Sequence, residues 1–307
     1  MTIVLATDDN FVQHCCVAMA SVMKHNQNVF FYIFTEGISK ENVLVFKNLV
    51  SDLGGHLEII LVDSNIVGKF PMPANADAHI SIATYYRLFT ALLLPNNVEK
   101  AIYMDCDMVV RKSMQELWNT ALSSSALGAV YQPISQSQEA DLERLSIPKD
   151  YGYFNAGLLL LNLKYWRECA VTDRLLAFIK NRFASIKQHD QDVLNAVLYS
   201  EAVPLNYTWN YLPPFINVSK LSFPDRVDYS KQETDPAVVH FVSAPKPWEY
   251  GCRHPFRKEY YKYLSYTPFK DFSPSFNLEK YYKNCLRIWL LNFICKIDLF
   301  NIRKLLR

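Results

Sequence analysis

The sequence predicts an α/β fold built on a largely parallel sheet. Three observations point there: short apolar runs alternate with helix-like stretches over the amino-terminal third, the most chemically suggestive residues fall where strands end, and the composition is globular. Half of the 307 residues are hydrophobic, 20% are charged and 14% are aromatic, unlike a disordered or fibrous chain. Strands that alternate with helices in this way assemble into parallel sheets with helices on their faces.

Ile3-Val4-Leu5-Ala6 reads as a buried strand. The polar turn Thr7-Asp8-Asp9-Asn10 and an apolar helix-like stretch from Val12 to Met23 complete a first βα unit. Val29 to Phe34 is a second strand, a Ser39-capped helix runs through Leu49, and Leu57 to Val62 is a third strand. A helical pattern over Ile80 to Leu94 stops at Pro95, and the strand Lys100 to Met104 leads into Asp105. Past residue 125 the alternation is less regular, with strand candidates at Leu127 to Tyr131, Gly157 to Leu163 and Val238 to Phe241. No internal repeat or low-complexity linker divides the chain. The expected organisation is one body over residues 1–250, with halves meeting softly near 125, followed by a distinct segment over 251–307.

Several function classes are disfavoured. A formal net charge of +2 gives no basis for a nucleic-acid partner, whose binding domains carry a basic face. Seven cysteines include the adjacent Cys15 and Cys16 and no CxxC, the pattern of reduced thiols. The first residues lack a basic start, the apolar run ends at Asp8, and no apolar segment reaches the roughly 20 residues that span a bilayer. The expectation is a cytoplasmic protein whose membrane contact, if any, is peripheral. From Asn277 onward Lys280, Lys283, Arg287, Lys296, Arg303, Lys304 and Arg307 outnumber Glu279 and Asp298, with Trp289, Phe293 and Phe300 among them. That mixture predicts a helix lying in an anionic membrane interface; a helix packed on the body is the alternative.

Asp105-Cys106-Asp107 is a DxD at a strand's carboxyl end, the edge where open α/β sheets bind ligands. On extended backbone, residues two apart share a face, so both carboxylates converge on a hard cation while Cys106 points away. Asp190-Gln191-Asp192 repeats the spacing at the start of a helix, where residues two apart diverge; helix capping is the competing reading. His240 ends another apolar run, and imidazole is a regular ligand for Mn²⁺-type ions, although a lone histidine is more often structural. Lys246, between Pro245 and Pro247, is placed to reach a phosphate.

Taken in order, Ala6-Thr7-Asp8-Asp9-Asn10, Tyr103-Met104-Asp105-Cys106-Asp107, Phe154-Asn155-Ala156-Gly157, His189-Asp190-Gln191-Asp192 and His240 through Lys246-Pro247-Trp248 resemble glycosyltransferase family 8 over about residues 2 to 250. That family includes bacterial lipopolysaccharide and lipooligosaccharide galactosyl- and glucosyltransferases and, among eukaryotic members, glycogenin and galactinol synthase. The resemblance implies a GT-A, Rossmann-like body with a mixed, mostly parallel sheet. It also implies a UDP-galactose or UDP-glucose donor, Mn²⁺ or else Mg²⁺, and transfer with retention of anomeric configuration.

Residue roles follow from the same resemblance. Asp105, Asp107 and His240 would hold the metal, and Lys246 would support the pyrophosphate. Ala6, Asp8 and Asn10 would form the uridine pocket, with Cys106 and Ser243 also along the donor. Arg87 would face donor sugar and phosphates, against the alternative of a solvated or ion-paired helix residue. Asn155, Ala156 and Gly157 would let the donor sugar approach the backbone, with Asn155 supplying hydrogen bonds and a plain turn as the alternative. Asp190 would bind donor hydroxyls, and Gln191 would lie beside the anomeric carbon as a stabiliser and not a committed nucleophile. Two positions depart from the bacterial galactosyltransferase pattern: Gln132 stands in place of an aspartate and Ser243 in place of a glycine. The expected acceptor is a glycan or lipid-linked saccharide. A UDP-sugar hydrolase and a non-catalytic sugar-nucleotide or glycan-binding protein are the competing functions.

Overall fold

A computed structural model describes residues 1–63, 82–132, 136–212, 235–242 and 245–276, together with Leu278, Tyr282 and Leu286. Strands β1 (Thr2–Ala6), β2 (Phe30–Thr35), β3 (His56–Leu61) and β4 (Lys100–Met104) lie where the apolar runs predicted them. Helices α1 (Val12–His25) and α2 (Lys40–Leu53) connect the first three. The side chain of Ser39 caps α2 by accepting from the Asn42 N–H, and Gly54 closes the helix at a φ of 79°, where a side chain would be strained.

The short strand β5 (Met108–Val110) was not anticipated. It is followed by β6 (Leu127–Gln132), β7 (Tyr153–Asn162), β8 (Ala202–Pro204) and β9 (Val238–His240). The described strands form a seven-stranded sheet in the order β3-β2-β1-β4-β7-β6-β8 and a two-stranded sheet of β5 and β9. Neighbours from β3 to β4 are parallel, β7 runs antiparallel to both β4 and β6, and β6 pairs parallel with β8. The sheet is therefore mixed and mostly parallel, and strands from both halves of the chain share it.

Period-two alternation assigns each strand residue to a side. Ile3, Leu5, Phe31, Ile33, Ile102, Met104, Leu158 and Leu160 join Cys16, Met19 and Val22 of α1 and Phe46 and Leu49 of α2 on one face. Val4, Tyr32, Phe34, Ala101, Tyr103, Leu159 and Leu161 join Tyr85, Phe89, Trp166, Leu175, Val193 and Leu194 on the other. Both faces of the sheet are thus covered, and each large apolar side chain so buried contributes about 1.5–3 kcal/mol relative to exposure.

Two elements differ from expectation. The segment predicted as helical over Ile80 to Leu94 winds as a 3₁₀ helix over Ile82–Phe89 and becomes α-helical only at Thr90–Leu93. Its β-branched and aromatic residues favour the α form weakly, and the buried packing of Tyr85, Tyr86 and Phe89 decides the winding. Strand β7 begins at Tyr153 rather than Gly157, because Tyr153 and Phe154 pair with Gln132 and Tyr131 of β6.

Helix α3 (His189–Leu198) carries the second DxD in its first turn. Helix α4 (Arg257–Leu264), beyond the expected boundary at 250, packs on the body: Tyr260, Tyr263 and Leu264 join Val17, Val109, Val239 and Phe241. The hydroxyls of Tyr260 and Tyr263 lie 2.8 Å from ring nitrogens of His14 and His25 on α1. Most of the basic and aromatic tail lies outside the described residues; within it Leu278, Tyr282 and Leu286 are helical and exposed. Among the described residues no helix is long and apolar enough to cross a membrane.

Candidate functional site

Parallel pairing of β1 with β4 brings their carboxyl ends out together, and the antiparallel β7 lays its amino-terminal residues along the same edge. Asp105 follows β4 directly, and its N–H donates to the Gly157 carbonyl at 2.8 Å. The pairing of β5 with β9 sets Met108 opposite His240 and so delivers the histidine to the DxD. One ligand atom from each of Asp105, Asp107 and His240 lies within 4.8 Å of the others. His240 Nε2 is 3.1 Å from Asp107 Oδ1 and 3.9 Å from Asp105 Oδ2, while Nδ1 is engaged by Asn210 Oδ1 at 3.0 Å. Two carboxylates and an imidazole nitrogen, with the other ring nitrogen held by a neighbour, are a donor set that fits a divalent cation.

The DxD differs locally from its expected form. Cys106 and Asp107 occupy a turn between β4 and β5, not extended strand. The carboxylates still converge, and Cys106 points away to donate its thiol hydrogen to the Ala6 carbonyl at 3.2 Å. Gly157 makes the cluster possible: a Cβ there would lie 2.3 Å from His240 Cε1 and 2.9 Å from Asp105 Oδ2. The small residue thus clears space for the histidine and aspartate, a role that sequence reasoning did not assign to it.

Three carboxylates in one poorly solvated spot need cations. Buried Arg87 supplies most of the compensation, pairing with Asp105 Oδ1 at 2.9 Å and Asp190 Oδ2 at 2.8 Å. Its remaining amino group donates to the Ala156 carbonyl, and its guanidinium lies 4.4 Å from the centre of the Tyr103 ring. The ion-paired alternative for Arg87 thus describes its contacts here. Lys246 Nζ lies 2.6 Å from Asp107 Oδ2 and also donates to the Phe241 carbonyl. Burial pushes the Asp105 carboxyl above the usual range against the pull of Arg87, with Asp107 adding to the rise. Asp107 sits far below that range: burial would raise it, but Lys246 and His240 outweigh burial. Burial raises Asp190 to about 7 despite Arg87.

The second DxD diverges as helical geometry requires. Asp190 faces Arg87, while fully buried Asp192 turns the other way to Arg144 at 2.9 Å and to the Tyr153 hydroxyl at 2.7 Å. Asp192 Oδ2 also accepts from the Lys187 and Gln188 N–H groups just ahead of the helix, whose N-cap Gln188 makes no side-chain capping hydrogen bond, so neither aspartate is the helix cap. Between them, Gln191 Oε1 accepts from Asn155 Nδ2 and the Ala156 N–H, both at 3.0 Å. Gln191, Asn155 and Ala156 are therefore one hydrogen-bonded unit, and Asn155 and Ala156 belong to strand β7 rather than to a turn.

At the end of β1, Asp8 Oδ1 accepts from the Asn10 and Phe11 N–H groups and starts a short 3₁₀ turn. Ala6 is tied to the DxD through the Cys106 thiol. Ser243 lies outside the described residues, as does the side chain of Gln132. Sequence reasoning missed Asn210 and Tyr153. A single Asn or Tyr carries no spacing signal, and only the fold shows that Asn210 is 1% exposed beside His240.

Comparison with known proteins places this geometry in context. The sequence model described as "Glycosyl transferase family 8" matches residues 2–252. The chain is 30% identical over 277 residues to "General stress protein A" of Bacillus subtilis (strain 168), covering 87% of this chain and 94% of that protein. It is 28% identical to "Lipopolysaccharide 1,2-glucosyltransferase" of Escherichia coli (strain K12), covering 89% and 80%. Among solved structures, the galactosyltransferase LgtC in complex with donor and acceptor sugar analogs is similar at a TM-score of 0.78 and 28% identity, covering 91% of this chain and 98% of that one.

Two outcomes follow from the geometry. Gly157→Ala, which drives a methyl group into His240, is expected to destabilise the fold by about 1–3 kcal/mol; an unchanged urea midpoint would contradict the packing. Folded Asp190 keeps its proton to about 7, whereas an unfolded aspartate releases it near about 4. Between those values the unfolded state binds fewer protons, so this group's contribution to stability falls as pH rises. In metal-free protein, the stability of wild type relative to Asp190→Asn should therefore decline over that window in urea unfolding. A difference independent of pH would refute the shift.

Proposed function

The chain belongs to glycosyltransferase family 8, and from that premise we propose that it is a metal-dependent, retaining hexosyltransferase. In this reading it moves galactose or glucose from the UDP-sugar to a glycan or lipopolysaccharide-type acceptor. The observation that carries the reading is the convergence of Asp105, Asp107 and His240 at the sheet edge, with the Asn155–Gln191 pair alongside. Relatives named as a lipopolysaccharide glucosyltransferase and a galactosyltransferase support a hexose donor and leave glucose or galactose to experiment.

Asp105, Asp107 and His240 would hold Mn²⁺ or Mg²⁺. Such an ion supplies Lewis acidity that offsets negative charge on the departing diphosphate, a contribution of several kcal/mol. The chain's own groups do the rest. Lys246 brings a point charge to the phosphate side, and Arg87 holds Asp105 and Asp190 in fixed positions. Gln191 Oε1 already accepts two hydrogen bonds, so it presents an oriented dipole and not a free nucleophile. An oriented dipole suits stabilisation of an oxocarbenium-like centre while the departing phosphate takes the acceptor's proton on the same face.

A donor screen with Mn²⁺, followed by NMR of the product, tests the reading. An α-linked hexoside is expected; a β-linked product would overturn retention. UDP release independent of acceptor would indicate a hydrolase, and no release with any donor would indicate a binding protein. Asp105→Ala and Asp107→Ala should each abolish Mn²⁺-dependent donor binding and transfer; near-normal turnover in either would remove the metal assignment.

We further propose that the enzyme works peripherally on the cytoplasmic face of a membrane through its tail. Support comes from the basic and aromatic residues after Asn277 and from exposed Leu278, Tyr282 and Leu286, spaced by four on a helical segment. Deleting residues 286–307 should release the protein from anionic vesicles and leave turnover of a soluble acceptor largely intact. Unchanged sedimentation with vesicles would refute the anchor.

A further inference from the structure

A chain of buried and half-buried side-chain amides runs from His240 through Asn210 and Asn155 to Gln191, and its polarity is set by backbone. Backbone N–H groups only donate. The Gly157 N–H lies 2.9 Å from one end of the Asn155 amide, so that end is Oδ1, and Asn155 Nδ2 is left to donate to Gln191. The Ala156 N–H likewise fixes Gln191 Oε1 as an acceptor, and Gln191 Nε2 donates to the Tyr153 hydroxyl at 3.3 Å. Tyr153 then donates to Asp192.

In the other direction Asn155 Oδ1 also accepts from Asn210 Nδ2 at 2.8 Å. Asn210 must therefore turn Oδ1 toward His240 Nδ1, 3.0 Å away. An acceptor at that place requires a hydrogen on Nδ1 and turns Nε2 toward Asp105 and Asp107, where it donates to Asp107 Oδ1 when it carries a hydrogen and offers its lone pair to a cation when it does not. Asn210 is itself held rigidly. It follows the 3₁₀ turn Tyr207–Trp209, and Tyr211 bridges to Val239 with the His240 N–H donating to the Tyr211 carbonyl.

We propose that Asn210 is a positioning residue that fixes the ring tautomer and orientation of His240 and couples it, through Asn155, to Gln191. The proposal rests on the metal-binding reading of His240. Its consequence is that the metal cluster and the group beside the reacting sugar are set by one network with a single permitted hydrogen-bond direction. In the Asn210→Ala variant His240 loses its partner, and Mn²⁺ affinity should fall by about 10- to 100-fold. In Asn210→Asp an oxygen still accepts from His240, but the other oxygen faces Asn155 Oδ1, acceptor against acceptor. That variant should keep Mn²⁺ affinity within about threefold and lose kcat by about 10-fold or more as Asn155 and Gln191 shift.

The experiment has three readouts. Electron paramagnetic resonance titration of Mn²⁺ gives affinity without turnover, steady-state kinetics gives kcat and KM, and ¹⁵N NMR of histidine-labelled protein, at a pH well above the imidazole range, gives the tautomer. Wild-type His240 with its hydrogen on Nδ1, together with the two variant patterns, supports the proposal. A hydrogen on Nε2, a folded Asn210→Ala that binds Mn²⁺ like wild type, or an Asn210→Asp with normal kcat overturns it. If Asn210→Ala fails to fold, the Asp variant and the tautomer decide. Failure of wild type to bind Mn²⁺ at all would instead refute the metal reading, so the two failures are distinguishable.

Discussion

Three carboxylates, from Asp105, Asp107 and Asp190, are gathered at the carboxyl edge of the sheet with little water to solvate them, and most of the surrounding structure answers that charge. Arg87 lies between two of them and Lys246 closes on the third. Removing Arg87 would leave the buried carboxyl of Asp190 without its cationic partner. The compensation is incomplete: burial still pushes the carboxyls of Asp105 and Asp190 up, despite Arg87.

Topology explains why those groups meet. In parallel strands β1 and β4 the chain leaves the sheet on one side, so the DxD and the residues after Ala6 emerge together. Reversal of β7 brings Asn155, Ala156 and Gly157 to that side from the opposite chain direction. The small β5–β9 ladder brings in a residue from more than a hundred positions away. Helix α4 packs on this ladder through Tyr260 and Tyr263, so residues past 250 help to hold the strand that carries His240.

The amino-terminal βα units were legible because their signals are local. Buried apolar runs, Ser39 as a cap and Pro95 as a stop act within a few residues, and the strands and helices up to β4 appear close to where those signals put them. The 3₁₀ winding of Ile82–Phe89 was not legible, since it is decided by the packing of Tyr85 and Tyr86 against a sheet that the local pattern does not contain. The amino-terminal extension of β7 was hidden for a similar reason: its first residues are strand only because β6 pairs with them.

The sequence by itself determined the α/β class, the candidate metal ligands and, through the order of five motifs, the family. All of these depend on residue identity and spacing along the chain. Tertiary structure alone decided that Arg87 clamps Asp105 and Asp190, that Asp192 is a structural anchor while Asp190 faces the site, and that Gly157 is small to admit His240. It also decided the hydrogen-bond direction through Asn155 and Asn210. The physical reason is common to these cases. Each depends on which donor, acceptor or missing Cβ lies across a gap of about 2–3 Å between segments far apart in sequence, a distance at which hydrogen bonds and steric exclusion are decided.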